Sequence, residues 1–343
     1  MNELHDNKAA AARAGLRLGS RASPLALAQA RMTADALATA GSAGAAIVPM
    51  STTGDRVQDR ALREIGGKAL WTRELDRALL DGEIDAAVHS MKDVETQLAP
   101  GLALAAMLPR ADVRDRLIGA LSLADIADGA IVGTASPRRT AQLLHSRPDL
   151  RVAILRGNVA GRLQKVADGA VAATFLAAAG LDRLGVDAGV ALDLADWLPA
   201  VAQGAVGITC RADDAAMLTL LAGIDHWPTR LAVAAERGLL EGLGGSCHTA
   251  VAAHAMGDAG GWTLRADLYS PDGADRLRDS LATPVLATLA EARALGLALA
   301  ERLLARATPA IRQSLEAASH PPSLEAASHP SPEAARPLPE DGG

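Results

Sequence analysis

Aromatic side chains are nearly missing: four Trp, one Tyr and one Phe in 343 residues. A stacking platform for single-stranded nucleic acid needs more rings than that. A positive surplus is missing too. Lys and Arg total 34 against 40 Asp and Glu, a net charge of −6, which argues against general DNA or RNA binding. Only two cysteines occur, Cys210 and Cys247, too few for a disulfide framework, so a reducing cytoplasm is the expected compartment. No stretch gives an uninterrupted apolar run of membrane length, and Met1 to Ala14 lacks the apolar centre of a signal peptide. Secretion and membrane insertion are both disfavoured. Lysine is scarce as well, with Lys8, Lys68, Lys92 and Lys165 alone among the 34 basic residues. Genomic bias accounts for part of that (Ala is inflated likewise), so the information lies in where Arg clusters.

What is present is an ordinary globular balance, 49% apolar and 22% charged. At roughly 100–200 residues per domain the length suggests two or three domains. Leu16–Leu18, Ala46–Val48, Ile84–Val88, Ala130–Val132, Val152–Leu155 and Val171–Leu176 read as strands. Between them Leu70, Leu75 and Leu79 recur at helical spacing, with Gly82 as a stop. Leu143-Leu144 and Leu181 to Leu184 sit in similar segments. Such alternation predicts an α/β protein with mostly parallel sheets. At the end, Ser-Leu-Glu-Ala-Ala-Ser-His-Pro occurs at 314–321 and again at 323–330, followed by a Pro-rich stretch. So short a repeat buries too little to offset chain entropy, and 312–343 is expected to be a disordered tail.

One internal echo stands out. Leu18-Gly19-Ser20-Arg21-Ala22-Ser23-Pro24 resembles Val132-Gly133-Thr134-Ala135-Ser136-Pro137. In each, a strand runs into a turn, then Ser as N-cap and Pro at the first helical position. Two similarly built halves would face each other across a cleft, with ligand groups at the strand ends.

Six arginines fall between 138 and 162 (138, 139, 147, 151, 156 and 162) against one acid, Asp149. Arg138 and Arg139 occupy the first turn of a predicted helix, where the dipole disfavours cations. They cost stability unless an anion binds, which makes this an expected anion site. Arg156-Gly157-Asn158 repeats the pattern, with Asn158 as N-cap and Arg162 one turn in. A second cluster, His89-Ser90-Met91-Lys92-Asp93, follows a predicted strand. A carboxylate there suits stabilising a developing cation or accepting a proton from one. His89 reads as a near-core histidine. Third is Gly244-Gly245-Ser246-Cys247-His248, where glycines give access to sulfur as a loop-borne nucleophile or attachment point needs. A small buried loop cysteine is the competing reading. Cys210, in an apolar run, reads as core. Gly66-Gly67-Lys68 lacks the spacing of a phosphate loop and reads as a glycine hinge or lid.

In order along the chain, His89-Ser90-Met91-Lys92-Asp93, Gly133 to Arg139, Leu155-Arg156-Gly157-Asn158, Ala202-Gln203-Gly204-Ala205 and Gly245-Ser246-Cys247 resemble the hydroxymethylbilane synthase (porphobilinogen deaminase) family. The resemblance runs from about Leu16 to about Ala310. It implies an α/β fold of three domains. Two are like the lobes of a type II periplasmic binding protein, here 14–109 with 204–222, and 110–203. A smaller C-terminal α/β domain, 223–311, carries the cofactor cysteine. It implies a covalent dipyrromethane on a thioether to Cys247, and four porphobilinogen molecules joined head to tail with loss of ammonia. Asp93 and Lys92 match catalytic positions, Asp93 promoting ammonia loss, stabilising the azafulvenium cation and assisting deprotonation. Cys247, Ser90, Lys92, Asp93, Thr134, Ser136, Arg138, Arg139 and Arg162 match cofactor-binding positions. Arg21, Ser23, Gln29, Arg156, Arg183 and Gln203 match substrate-binding ones. No metal is implied, and the partner is a small molecule acted on by a cytoplasmic monomer.

Ala69 and Trp71 depart from the family's usual Gly and Phe in the glycine segment, Glu95 replaces a common Pro, and Ser246 replaces a frequent Gly. Two other functions remain open on the residues alone. One is a non-catalytic carboxylate-binding module. The other is an acyltransferase using Cys247 and His248, although adjacent residues rarely aim at one point.

Overall fold

The computed structural model of the chain describes residues 15–42, 44–52, 72–245 and 249–319. The Gly66-Gly67-Lys68 segment with Ala69 and Trp71, the Ser246-Cys247-His248 stretch and the tail from His320 onward lie outside the described residues.

Among the described residues three sheets organise an α/β fold. The first holds β1 (Leu16–Arg21), β2 (Ala45–Met50), β3 (Ala86–Ser90), β4 (Leu102–Met107) and β10 (Val206–Arg211) in the order β2-β1-β3-β10-β4. The second holds β5 (Asp115–Ile118), β6 (Ile131–Gly133), β7 (Arg151–Ala153), β8 (Ala173–Ala177) and β9 (Val190–Ala191) in the order β7-β6-β8-β5-β9. The two orders correspond strand for strand. Each has three parallel strands, then one antiparallel strand, β10 or β5. The third sheet, β11 (Val251–Asp258), β12 (Gly261–Tyr269) and β13 (Arg276–Thr283), is antiparallel throughout.

The expectation of mostly parallel pairing therefore holds only within β2-β1-β3 and β7-β6-β8. The reason is topological. The antiparallel strand of each lobe is the one that has just crossed from the other lobe, β5 after β4 and β10 after β9. It enters at the opposite end of the sheet from strands delivered by local helices. Local β–helix–β units force parallel pairing, and a long-range crossing does not.

Helix starts explain the echo between lobes. Ahead of α1 (Pro24–Thr39), the Ser23 hydroxyl accepts from Ala26 N at 3.3 Å. After α2 (Arg73–Leu80), Gly82 at φ +71° ends the turn, as the sequence predicts. Ahead of α3 (Pro137–Ser146), Ser136 accepts from Arg139 N at 3.4 Å, and Asn158 caps α4 (Val159–Ala167) through Gly161 N at 2.9 Å. Each such cap contributes ~1 kcal/mol and fixes where a strand end becomes a helix start. Loop residues at these junctions thus stand at corresponding places in both lobes.

The remaining α-helices among the described residues are α5 (Ala178–Arg183), α6 (Ala215–Ala222), α7 (Trp227–Gly242), α8 (Leu289–Arg306) and α9 (Pro309–Ser319). Separate apolar cores lie under the three sheets, with Leu18, Val88 and Ile208 in the first, Val132, Leu143 and Phe175 in the second, and Leu239, Leu264 and Leu299 in the third. Helices α7 and α8 touch backbone to backbone. A Cβ added at Gly296 would fall 2.1 Å from Ala235 O. Helix α9 corrects the tail expectation. Residues 312–319 are helical, and Ile311 and Leu315 are buried in the core of the third sheet. The sequence Ile311-Arg-Gln-Ser-Leu315 places two apolar residues four apart among good helix formers, an amphipathic turn that the repeat composition conceals.

The two crossings lie side by side and are tied together. Arg110 Nε donates to Gln203 O at 2.9 Å, and Ala111 N to Gly204 O at 3.3 Å. Glu236 of α7, wholly buried, accepts from both terminal nitrogens of Arg110 at 2.7 and 2.9 Å and from Ala202 N at 2.6 Å. Ala202 is the only non-glycine residue with positive φ (59°) among the described residues. A left-handed alanine costs roughly 1–2 kcal/mol, and the buried carboxylate that accepts its N–H holds it there.

Candidate active site

Between the two five-stranded sheets lies a cavity of about 1300 Å³. Each strand–turn–helix junction described above delivers part of its wall. Arg21, Ser23 and Gln29 come from the end of β1 and the start of α1. Ser90, Lys92 and Asp93 follow β3, the last two in a short 3-10 turn, Met91–Asp93. Thr134, Ser136, Arg138 and Arg139 follow β6, and Arg156 and Arg162 follow β7. Arg183 closes α5, and Gln203 comes from the second crossing. All fourteen described residues that the family resemblance matches to catalytic or binding positions line this one space. Cys247 lies outside the described residues, but Leu240 and Thr249, on either side of its segment, are on the wall. Arg147 and Arg151 are not. Arg147 pairs with Asp149 at 2.7 Å and Asp128 at 3.0 Å, and Arg151 is exposed.

The charge is strongly segregated. Among the described residues the wall carries nine Arg and Lys side chains against two carboxylates, Asp93 and Glu95, in a chain of net charge −6. The sequence pattern at 138–139 calls for an external anion. The structure shows that the chain supplies the first counter-ion itself. Asp115, at the start of β5 and fully buried, lies 2.9 Å from Arg138 Nη1 and 2.6 Å from Arg139 Nη2. Trp197 Nε1 donates to it at 2.9 Å and Gln203 Nε2 at 2.9 Å. Burial alone would raise the Asp115 carboxyl. Arg138 and Arg139 outweigh that and hold it well below the usual carboxylate range. One carboxylate cannot neutralise two guanidinium groups, so the pair still presents positive charge to the cavity. Sequence reading missed Asp115 because its partners are 23 to 88 positions away, across two elements and a crossing.

Several predicted residues have protein partners that define what each can do. Gln203 Nε2 also donates to Val113 O at 2.8 Å, so its amide nitrogen ties the two crossings together. Gln29 brackets the Ser90 hydroxyl, Nε2 at 2.8 Å and Oε1 at 3.1 Å, and so aims it. Arg183 Nη2 donates to Gly204 O at 2.7 Å. Arg162 Nε donates to Gly157 O at 3.0 Å, and burial followed by repulsion from Arg139 pushes it down to about 10, with Asp93 opposing. Asp93 and the second lobe's cations therefore share one electrostatic neighbourhood across the cleft. His89 is a core histidine as expected: buried, 2.9 Å from Thr209 Oγ1, and lowered to about 4 by desolvation and then by Arg21. Cys210 is fully buried and its thiol is pushed up to about 11 by burial.

Lys92 gives a test with a defined sign. Desolvation pushes its ammonium down to about 8, with Asp93 opposing and Arg139 adding to the drop. Below pH 8 folded and unfolded chains both hold the proton, and the folded chain bears the cost. Between about 8 and the ordinary value of 10.5 only the unfolded chain holds it, so stability rises with pH across that window. Denaturant titrations of ligand-free protein are expected to show this rise, and Lys92→Met is expected to remove most of it, leaving the part that Arg162 adds near pH 10. An equal rise in the variant would remove Lys92 as the cause.

Fold and site define a two-lobed α/β protein built to hold a multiply acidic ligand in the cleft between its lobes. The model of the porphobilinogen deaminase dipyromethane cofactor binding domain matches residues 16–219, and that of the porphobilinogen deaminase C-terminal domain matches residues 230–305. The chain belongs to the porphobilinogen deaminase family, whose cofactor is dipyrromethane. It is similar to the porphobilinogen deaminase of Sphingopyxis alaskensis, 56% identical over 308 residues, 87% of this chain and 96% of that one. The Paracoccus denitrificans porphobilinogen deaminase is 47% identical over 299 residues, 85% and 94% of the two chains. The chloroplastic porphobilinogen deaminase of Pisum sativum is 47% identical over 305 residues, 86% and 82%.

Proposed function

We infer that the chain is the transferase that condenses four porphobilinogen molecules head to tail, releasing one ammonia for each, and frees linear hydroxymethylbilane by adding water. The observation that carries this reading is the cationic wall of the cleft. Each pyrrole of the product bears two carboxylates, and a growing chain of them needs cations spread over an extended surface. Nine such side chains among the described residues line a cavity larger than the ~300–1,000 Å³ that suits a single drug-sized ligand.

The residues fit dipyrromethane. The buried Nε atoms of Arg138 and Arg183 have no protein partner among the described residues, and both side chains stand on the wall. When bound, the cofactor supplies the anchored pyrrole carbon that accepts the first substrate. Arg138, Arg139 and Arg162, with Thr134 and Ser136, are proposed to hold its carboxylates. Arg21, Arg156 and Arg183, with Ser23, are proposed to hold those of incoming substrate. Forked guanidinium donors suit this task because each can meet both oxygens of a carboxylate. Lys92 is proposed to add a cation beside the reacting groups. Asp93 is proposed to accept hydrogen bonds from pyrrole N–H, to stabilise positive charge on the substrate as ammonia departs, and to take the ring proton afterwards. Cys247 is proposed as the thioether anchor, because Leu240 before its segment and Thr249 after it both line the cavity.

We further place the protein in the cytoplasm as a monomer, on its cysteine usage and because both lobes of the cleft come from one chain. No helix among the described residues is long and apolar enough to cross a membrane. Incubation with porphobilinogen tests the reading. Four ammonia released per hydroxymethylbilane is the expected result. Saturable binding with no ammonia release would replace it by a carboxylate-binding module.

A further inference from the structure

The segment after Asp93 lacks regular structure until β4 begins at Leu102. Before Asp93 the chain is well held: β3 pairs with β10, Met91 is buried, and Met91 N donates to Ala205 O at 3.1 Å. After it, three successive carbonyls converge on one side chain from the third domain. Arg237 Nη1 donates to Val94 O at 3.0 Å, and Nη2 donates to Glu95 O and to Thr96 O, the latter at 2.9 Å.

Arg237 stands on α7, the helix locked against α8 at Gly238 and Gly296. Its neighbour Glu236 grips the crossing at Arg110 and Ala202. Two consecutive residues of one rigid helix therefore fix the crossing and the loop that follows Asp93. Arg237 lines the cavity, yet its terminal nitrogens are committed to backbone oxygens. A cation so engaged is better suited to hold a loop than to follow a moving carboxylate.

We propose that Arg237 is a positioning residue for Asp93: by pinning the carbonyls of 94–96 to α7 it sets where the Asp93 carboxylate stands against the cations of the second lobe. This rests on the activity proposed above. A displacement of about 1 Å at a reacting group can cost on the order of a hundredfold in rate. The expected signature is therefore a loss in kcat with little change in KM.

The test uses full-length protein as isolated, comparing the parent with Arg237→Ala and Arg237→Lys. For Arg237→Ala, kcat is expected to fall about 10- to 100-fold with KM within about threefold, while intact mass shows the same cofactor content. Arg237→Lys, which keeps one donor group, should recover part of the loss, and millimolar guanidinium should restore part of the rate of Arg237→Ala. If Arg237→Ala does not fold, the same kcat-selective loss in Arg237→Lys decides. Rates within twofold of the parent overturn the proposal. So does a rise in KM at constant kcat, which would make Arg237 a carboxylate binder. Loss of cofactor and thermal stability in proportion to rate, without guanidinium rescue, would make its role purely structural. A parent that releases no ammonia would instead overturn the proposed activity.

Discussion

Asp93→Asn should fold, keep its cofactor and lose turnover by roughly 10²–10⁴-fold, the range by which a positioned acid or base contributes. Asparagine keeps the shape and one hydrogen-bond acceptor of the side chain. It loses the negative charge and the capacity to take a proton. If Asp93 stabilises a cation as ammonia departs, the whole loss falls on the chemical step, about 3–5 kcal/mol of barrier at 1.36 kcal/mol per tenfold. Steady-state kinetics with intact mass and melting on the same sample checks this. KM should change little, because the carboxylates of substrate are to be held by arginines rather than by Asp93. Rates near those of the parent would take Asp93 out of the mechanism.

The second large effect is on stability. Asp115→Asn leaves Arg138 and Arg139, 4% and 6% exposed, without their shared counter-ion. Removing one partner from a buried ionic cluster costs about 3–5 kcal/mol, because the remaining charges stay desolvated and uncompensated. The loss should be larger in cofactor-free protein than in cofactor-loaded protein, since an acidic ligand at the same guanidinium groups supplies replacement charge. Denaturant unfolding of both forms measures the difference. A cost below about 1 kcal/mol in the cofactor-free form would show that water already solvates the two arginines. Asp115 also receives Trp197 and Gln203, so its loss should loosen the second crossing as well as the anion-binding corner.

What the sequence made legible was local. Ser23-Pro24 and Ser136-Pro137 announce helix starts because capping is settled within three or four residues. Those starts carry most of the cleft. The gathering of Arg21, Lys92, Arg138 and Arg156 around one space followed from strand ends facing each other, whereas Arg183, at the end of α5, came only with the family resemblance. What stayed hidden depends on contacts far apart in sequence. Asp115 sits in a run of alternating charges, Arg114-Asp115-Arg116, that reads as solvated surface, yet only its neighbours are exposed to varying degrees while Asp115 is fully buried. Arg237 reads as one more helical arginine, and its acceptors lie more than 140 positions away. The antiparallel strands β5 and β10 owe their direction to crossings, which no local pattern encodes. At the C-terminus the error ran the other way. Repeat composition outweighed the apolar pair Ile311 and Leu315, whose burial shows that the fold continues through 319.

Intact-mass measurement during turnover tests the central claim most directly: that an acidic pyrrole chain grows in the cationic cleft while tethered through Cys247. Protein as isolated should exceed its sequence mass by one dipyrromethane, and porphobilinogen should add a ladder of further pyrrole units. Cys247→Ser should show neither. Turnover by protein at its bare sequence mass, or the same excess and ladder in Cys247→Ser, would contradict the account.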